Sequence, residues 1–277
     1  MMTFIILTVL FIIAVIIFHY CAIKRGPKAI VLSKGIASLI FVVIAALGIF
    51  TGPEAVHSNL AHDLLVCQGA SRQLHSTNCA LAMTQMLNLC LFIGLVCGFF
   101  GDILLALRNV FSAKKNLYII LGIIAFALGH IFYSILTFNL YSSELAEFDS
   151  GKVLMLALPF VLSAVCAGLI LKISPKMNID FGKLKPGVAI YTFVIFVFIT
   201  SALLGCIMTS INSNALSAFA LMLPVLLFAS SDFMLSQNYF DKENKHNEPK
   251  HIIAIHVTYY LAQYIFASMI YWGYQLS

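Results

Sequence analysis

The stretch CGFFGDILLALRN, residues 97–109, closes an apolar run that begins near residue 80 and holds one charged side chain, Asp102, before Arg108 ends it. A bilayer crossing needs roughly 20 apolar residues at ~1.5 Å each, and this run is long enough. Seven more such runs lie around it, near 2–23, 29–51, 117–140, 153–173, 187–209, 215–236 and 251–275. The 277 residues are 61% hydrophobic and 10% charged, with mean hydropathy +0.99. That is too little charge to cover a water-facing surface, which excludes a soluble domain. The expectation is an all-α fold: a polytopic membrane bundle of eight transmembrane helices, residues 1–277 forming a single integral membrane domain.

Basic residues orient the bundle. Lys24, Arg25 and Lys28 follow the first run, Arg108, Lys114 and Lys115 the third, Lys172, Lys176, Lys183 and Lys185 the fifth, and Lys242, Lys245 and Lys250 the seventh. Outer loops would hold only Arg72 and Lys152, and Lys34 falls inside the second run. By the positive-inside rule these four loops are cytoplasmic and both termini external. The first run has no lysine or arginine before it, the reverse of a cleaved signal peptide, so it reads as a retained helix. The net charge of +5 is spread over loops, with no basic arm for nucleic acid. The long outer loop 52–79 carries His57, His62, Asp63, His75, Cys67 and Cys79, and a Cys67–Cys79 disulfide is one expectation there. The other cysteines, in apolar runs, read as core filler.

Clear of the span ends, only Lys34, Asp102 and Asp232 are charged, the last in FASSDFMLSQN, residues 228–238. A charge at membrane depth is paired, faces a cavity or is functional. All three lie about five residues from the cytoplasmic end of their helices, which at ~1.5 Å per residue puts them at one level. Lysine can snorkel to the headgroups, whereas aspartate has too short a stem. There is also an internal echo. Asp102 is followed by His130 and Tyr133, and Asp232 by His256 and Tyr259, each histidine three residues before its tyrosine and so on one helix face. Gln263, four residues beyond Tyr259, extends the second face. The sequence contains no G-x-S-x-G elbow, H-E-x-x-H pair, Walker loop or Gly-rich dinucleotide turn. Ser230 and Ser231 stand beside Asp232 with nothing to mark either as a nucleophile.

Four segments, GDILLAL (101–107), AFALGHIFY (125–133), SDFMLSQNYF (231–240) and TYYLAQY (258–264), resemble in order and spacing the motifs of the lysoplasmalogenase family of membrane proteins, the YhhN-like family. The resemblance runs from the second span to the C-terminus. One departure is in LSKGIAS (32–38), where Gly35 follows Lys34 and the family often has proline. The resemblance implies a multi-pass protein of the bacterial inner membrane that hydrolyses the vinyl ether bond of lysoplasmalogens. The products are a fatty aldehyde and a glycerophospho-ethanolamine or -choline, and the partners are a lysophospholipid substrate and membrane lipid.

Such a bond opens by protonation at its β-carbon, and water captures the oxocarbenium ion. This requires one protonated carboxylic acid and one carboxylate, as in glycoside cleavage. Asp102 and Asp232 are the candidate catalytic pair; a lysine beside one would hold that one ionised and leave the other as the acid. Lys34, His130, Tyr133, His256, Tyr259, Gln263 and Arg108 are the candidate binding and orienting residues, with Lys34 or Arg108 at the phosphate. No cofactor and no metal are expected, although a rival route would place zinc on His130, His256 and one aspartate. The rival function is a transporter or proton-coupled carrier using the same aspartates.

Overall fold

The computed structural model describes the backbone of residues 1–51, 76–145, 152–212, 215–242 and 248–272, with side chains throughout except at 76–82, 144, 152, 211–212 and 215–220. Eight helices are described: α1 (Met2–Lys24), α2 (Pro27–Thr51), α3 (Ser76–Leu107), α4 (Lys115–Glu144), α5 (Lys152–Ile173), α6 (Lys185–Asn212), α7 (Ala215–Phe240) and α8 (Pro249–Trp272). No β-strand occurs among the described residues beyond a single bridge between Ile179 and Asp241. The fold is therefore all-α. Helices this apolar on every side satisfy their own backbone groups and need no aqueous face.

Among the described residues, seven helices are long and apolar enough to cross a membrane. The count does not take in residues 215–220 of α7, the expected seventh span, so that helix is neither added to it nor excluded by it.

Successive contacts α2–α3, α3–α4, α4–α6, α6–α7, α7–α8 and α8–α2 close six helices into a ring. The other two lie outside it: α1 packs on α2 and α8, and α5 on α6. Their exposed faces are accordingly apolar, with Ile5, Val9, Ile12 and Ile16 on α1 and Leu154, Val161, Val165 and Leu169 on α5. The backbones of α2 and α8 approach closely at Gly48, where a Cβ would stand 2.6 Å from Tyr271 Cα, and those of α3 and α4 at Gly129, where a Cβ would stand 3.1 Å from the Gly94 carbonyl oxygen. Small residues permit these approaches.

Pro159 interrupts α5 and has no N–H for the carbonyl of Met155 one turn back. The Tyr141 hydroxyl of α4 donates to that carbonyl at 2.9 Å. Thr200 of α6 donates to the Pro159 carbonyl at 3.0 Å and lies 2.9 Å from the Ser163 hydroxyl. These polar contacts hold the peripheral α5 where apolar packing is sparse.

The four basic connections share one end of the bundle. Arg25, Arg108 and Asn109 line a common cavity there with Asn238 of α7 and Ile252 of α8. The α5–α6 connection joins the same end: the Asp180 amide donates to the Phe240 carbonyl at 2.9 Å, and the Lys242 amide to the Asn178 carbonyl at 3.0 Å. Asn178 and Gly182 adopt left-handed φ values of 59° and 49° and bracket this strap. Its Ile179 and Phe181 turn inward to pack with Val188 and Phe240. The proposed Cys67–Cys79 bridge and the histidines of loop 52–79 lie outside the described residues. Cys21, Cys90, Cys97 and Cys166 are free thiols.

Candidate active site

Two polar assemblies occupy the ring near its basic end. The first joins α2 to α3. Lys34 Nζ stands 3.0 Å from Asp102 Oδ1, and the Ser38 hydroxyl donates to Asp102 Oδ2 at 2.5 Å. Both charged side chains are buried, the aspartate at 1% exposure and the lysine at 9%. Ser38 lies four residues beyond Lys34, so one face of α2 supplies both donors. The Asp102 carboxyl group thus has a cation on one oxygen and a hydroxyl donor on the other, both charge-assisted contacts.

The second assembly joins α7 to α4 and α6. The Tyr191 hydroxyl donates to Asp232 Oδ2 at 2.9 Å, and His130 Nε2 approaches the same oxygen at 3.4 Å. His130 Nδ1 lies 2.8 Å from the Phe126 carbonyl. A carbonyl only accepts, so Nδ1 carries a hydrogen and Nε2 is left facing the carboxyl group. Nε2 closes no hydrogen bond; its contact with Asp232 is a near approach. Two bare acceptors repel at that distance, so the arrangement calls for one proton between Nε2 and Oδ2. Among the described residues no lysine or arginine pairs with Asp232. Rings of Phe228, Phe198 and Tyr191 pack edge-on around the imidazole, with centroids 4.6, 5.6 and 5.6 Å away.

Between the assemblies runs a hydrogen-bond chain. Tyr133 donates to Gln263 Oε1 at 2.8 Å, and Gln263 Nε2 donates to the Tyr259 hydroxyl at 3.1 Å. The two tyrosines of the sequence echo thus converge on one glutamine. Gly98 of α3 makes room for it, since a Cβ there would stand 2.5 Å from Gln263 Nε2. The two histidines of the echo part company. His256 donates from Nδ1 to the Ile252 carbonyl and turns its ring toward α1, 4.7 Å from Phe18 and 6.0 Å from His19. Among the described residues no three His, Cys, Asp or Glu side chains group as a metal site.

Two cavities flank α7. One, of about 250 Å³, is apolar except for Asp232, Tyr191, Thr192, Ser236 and Tyr239; Phe126, Ile195, Phe196 and Ile199 form much of its wall. The other, of about 460 Å³, is lined by Arg25, Lys34, Arg108 and His256 and by no carboxylate. Asp102 lines neither. The aspartates therefore do not open on a common cavity: Asp232 meets the apolar one, and Asp102 reaches the cationic one only through Lys34. Leu105, Leu235 and Tyr239 belong to both linings, so the cavities adjoin there. The Arg108 guanidinium carbon sits over the Tyr239 ring, 3.6 Å from its centroid.

Tyr191, Ser38 and Tyr239 are parts of these assemblies that sequence reading passes over. For Tyr191 there was a usable signal: a tyrosine deep in an apolar helix needs a partner for its hydroxyl.

The architecture defines a class, a helical membrane bundle with one buried ion pair and one aspartate–histidine–tyrosine set, each beside its own cavity. Within that class the chain belongs to the YhhN family, whose sequence model matches residues 73–270. The match begins beyond α2, later than the resemblance suggested, so Lys34 and Ser38 stand outside it and their place in the site rests on geometry. No curated protein and no solved structure matches the chain.

Proposed function

We propose that the protein is a lysoplasmalogenase-type ether hydrolase that spans the membrane eight times and takes a lysophospholipid from the surrounding lipid. The observation that carries this reading is the contrast between the two aspartates. Asp102 has a lysine and a serine hydroxyl, whereas Asp232 has only a phenol and an imidazole nitrogen and opens on an apolar cavity. A vinyl ether needs that division, an acid beside an apolar chain and a fixed negative charge nearby.

In the reaction the alkenyl chain lies in the apolar cavity. Asp232 gives its proton to the β-carbon, the double-bond electrons form the new C–H bond, and the ether oxygen shares the resulting positive charge. Asp102, the other buried carboxyl group of the ring, steadies that cation. Water adds to the α-carbon and loses a proton to the Asp232 carboxylate, with His130 and Tyr191 holding that side chain in place. The hemiacetal then breaks its C–O bond, its hydroxyl proton passing to the leaving glycerol oxygen, to give aldehyde and glycerophospho-alcohol. Tyr133, Gln263 and Tyr259 fix the floor between the two carboxyl groups.

Aldehyde release from lysoplasmalogen by detergent-purified protein tests the reading. Asp232→Asn removes the acid and should lower turnover by ~10²–10⁴. A protein that binds the lipid and releases no aldehyde is a carrier, and that result sinks the hydrolase reading.

A further inference from the structure

We propose that Arg108 and Tyr239 form a ruler that selects substrates by the number of carbons between the ether and the phosphate. This rests on the ether-hydrolase reading for its reaction, but its binding test stands apart from catalysis. Tyr239 lies seven residues beyond Asp232 on α7, two turns away on the same helix face. At ~1.5 Å per residue the two levels are roughly 10 Å apart. Tyr239 is also the polar residue shared by both cavities, and the Arg108 guanidinium rests on its ring at 3.6 Å. Arg108 Nε is buried and has no hydrogen-bond partner among the described atoms. The guanidinium is thus held over the ring and still has donors to offer. Arg25 lines the same cavity, no carboxylate belongs to its lining, and of its cations only Lys34 is already taken, by Asp102 behind it. Phosphate is the ligand such a set takes, with arginine as the planar, two-pronged member.

The β-carbon of a 1-alkenyl ether and the phosphorus of a 3-phosphoglycerol backbone are seven bonds apart, roughly 8 Å when extended at ~1.2 Å per bond. With the phosphate on Arg108, that carbon reaches the level of the Asp232 carboxyl group. One methylene more or less displaces it by ~1.2 Å, and a misplacement of about 1 Å can cost 10²-fold in rate. Arg108 therefore touches the substrate, and Tyr239 is a positioning residue that acts through it.

The test uses alkenyl ether phosphocholines built on two-, three- and four-carbon backbones, together with their saturated, uncleavable alkyl ethers. Wild-type protein should show kcat/KM at least tenfold higher for the three-carbon substrate, and the three-carbon alkyl ether should bind at least tenfold more tightly than the other two. Arg108→Met should raise KM tenfold or more with kcat changed less than threefold. Tyr239→Leu should reduce the three-carbon preference below threefold, and Tyr239→Phe, which keeps the ring under the guanidinium, should restore it. Equal turnover and binding across the three spacings in the wild type overturns the ruler, as does a preference that survives Tyr239→Leu. If no substrate yields aldehyde, the hydrolase reading fails, and the ruler is still decided by the alkyl ether affinities.

Discussion

The Lys34–Asp102 pair shows how much a single side chain depends on its partner. Sequence reading leaves Lys34 as a partner for either an aspartate or the lipid phosphate. In the structure the lysine neutralises a carboxylate with 1% exposure. Removing one member of a buried pair strands the other, at a cost of ~3–5 kcal/mol, and replacing both with neutral groups of similar size recovers most of it. Lys34→Met is therefore expected to lower stability in detergent more than the double variant Lys34→Met/Asp102→Asn, as read by thermal unfolding. A double variant less stable than the single would show that the pair carries no buried charge. Asp102 and Asp232 were legible from sequence because a carboxylate in an apolar run stands out. Which of them meets the lysine was not legible: all three residues share one depth, and only the lateral packing of α2 against α3 decides between them.

At the scale of elements, α5 shows a proline whose cost is met from a neighbouring helix. Tyr141 donates to the Met155 carbonyl that Pro159 leaves without a partner. Tyr141→Phe should destabilise the protein by about 1 kcal/mol, the size expected when a buried carbonyl loses its donor. In a Pro159→Ala background the helix supplies its own N–H again, and the same change should then be nearly silent. Equal losses in the two backgrounds would contradict the account. The strap between α5 and α6 is a second case. The Gly182 amide and then the Lys242 ammonium hold the exposed Asp180 carboxyl below the usual carboxylate range. Its contribution is present above the ordinary carboxylate pKa and is lost only as the pH falls through the lowered value. Protection of the Gly182 amide hydrogen, measured against its intrinsic exchange rate at each pH, should accordingly hold through mildly acidic pH and fall only below the ordinary carboxylate range. Loss of that protection between neutrality and the ordinary carboxylate range would remove Asp180 from that role.

For the whole molecule, the ring of six helices with two outliers gathers the four basic connections at one end. The positive-inside rule predicts that this end is the cytoplasmic one. In protein lacking Cys67 and Cys79, a membrane-impermeant maleimide added to intact cells should modify Lys152→Cys and leave Lys176→Cys and Lys242→Cys unmodified until the cells are opened. Labelling of Lys242→Cys in intact cells would reverse the topology.

The chain's composition by itself determined an all-α membrane bundle, because apolar runs of bilayer length have no alternative to the helix when water is absent. It also determined the two aspartates as the residues to explain, and the motifs that place residues 73–270 in their family. The echo of Asp, His and Tyr pointed to equivalent roles for His130 and His256, and tertiary structure separated them. His130 turns into the ring toward Asp232, whereas His256 faces the outlying α1. A helix repeats its side-chain directions every turn, so sequence spacing shows which residues share a face. What that face meets depends on the neighbouring helix, and here that neighbour is set by packing between segments far apart in the chain: α2 on α8, α4 on α6, and Tyr191 reaching Asp232 across 41 residues.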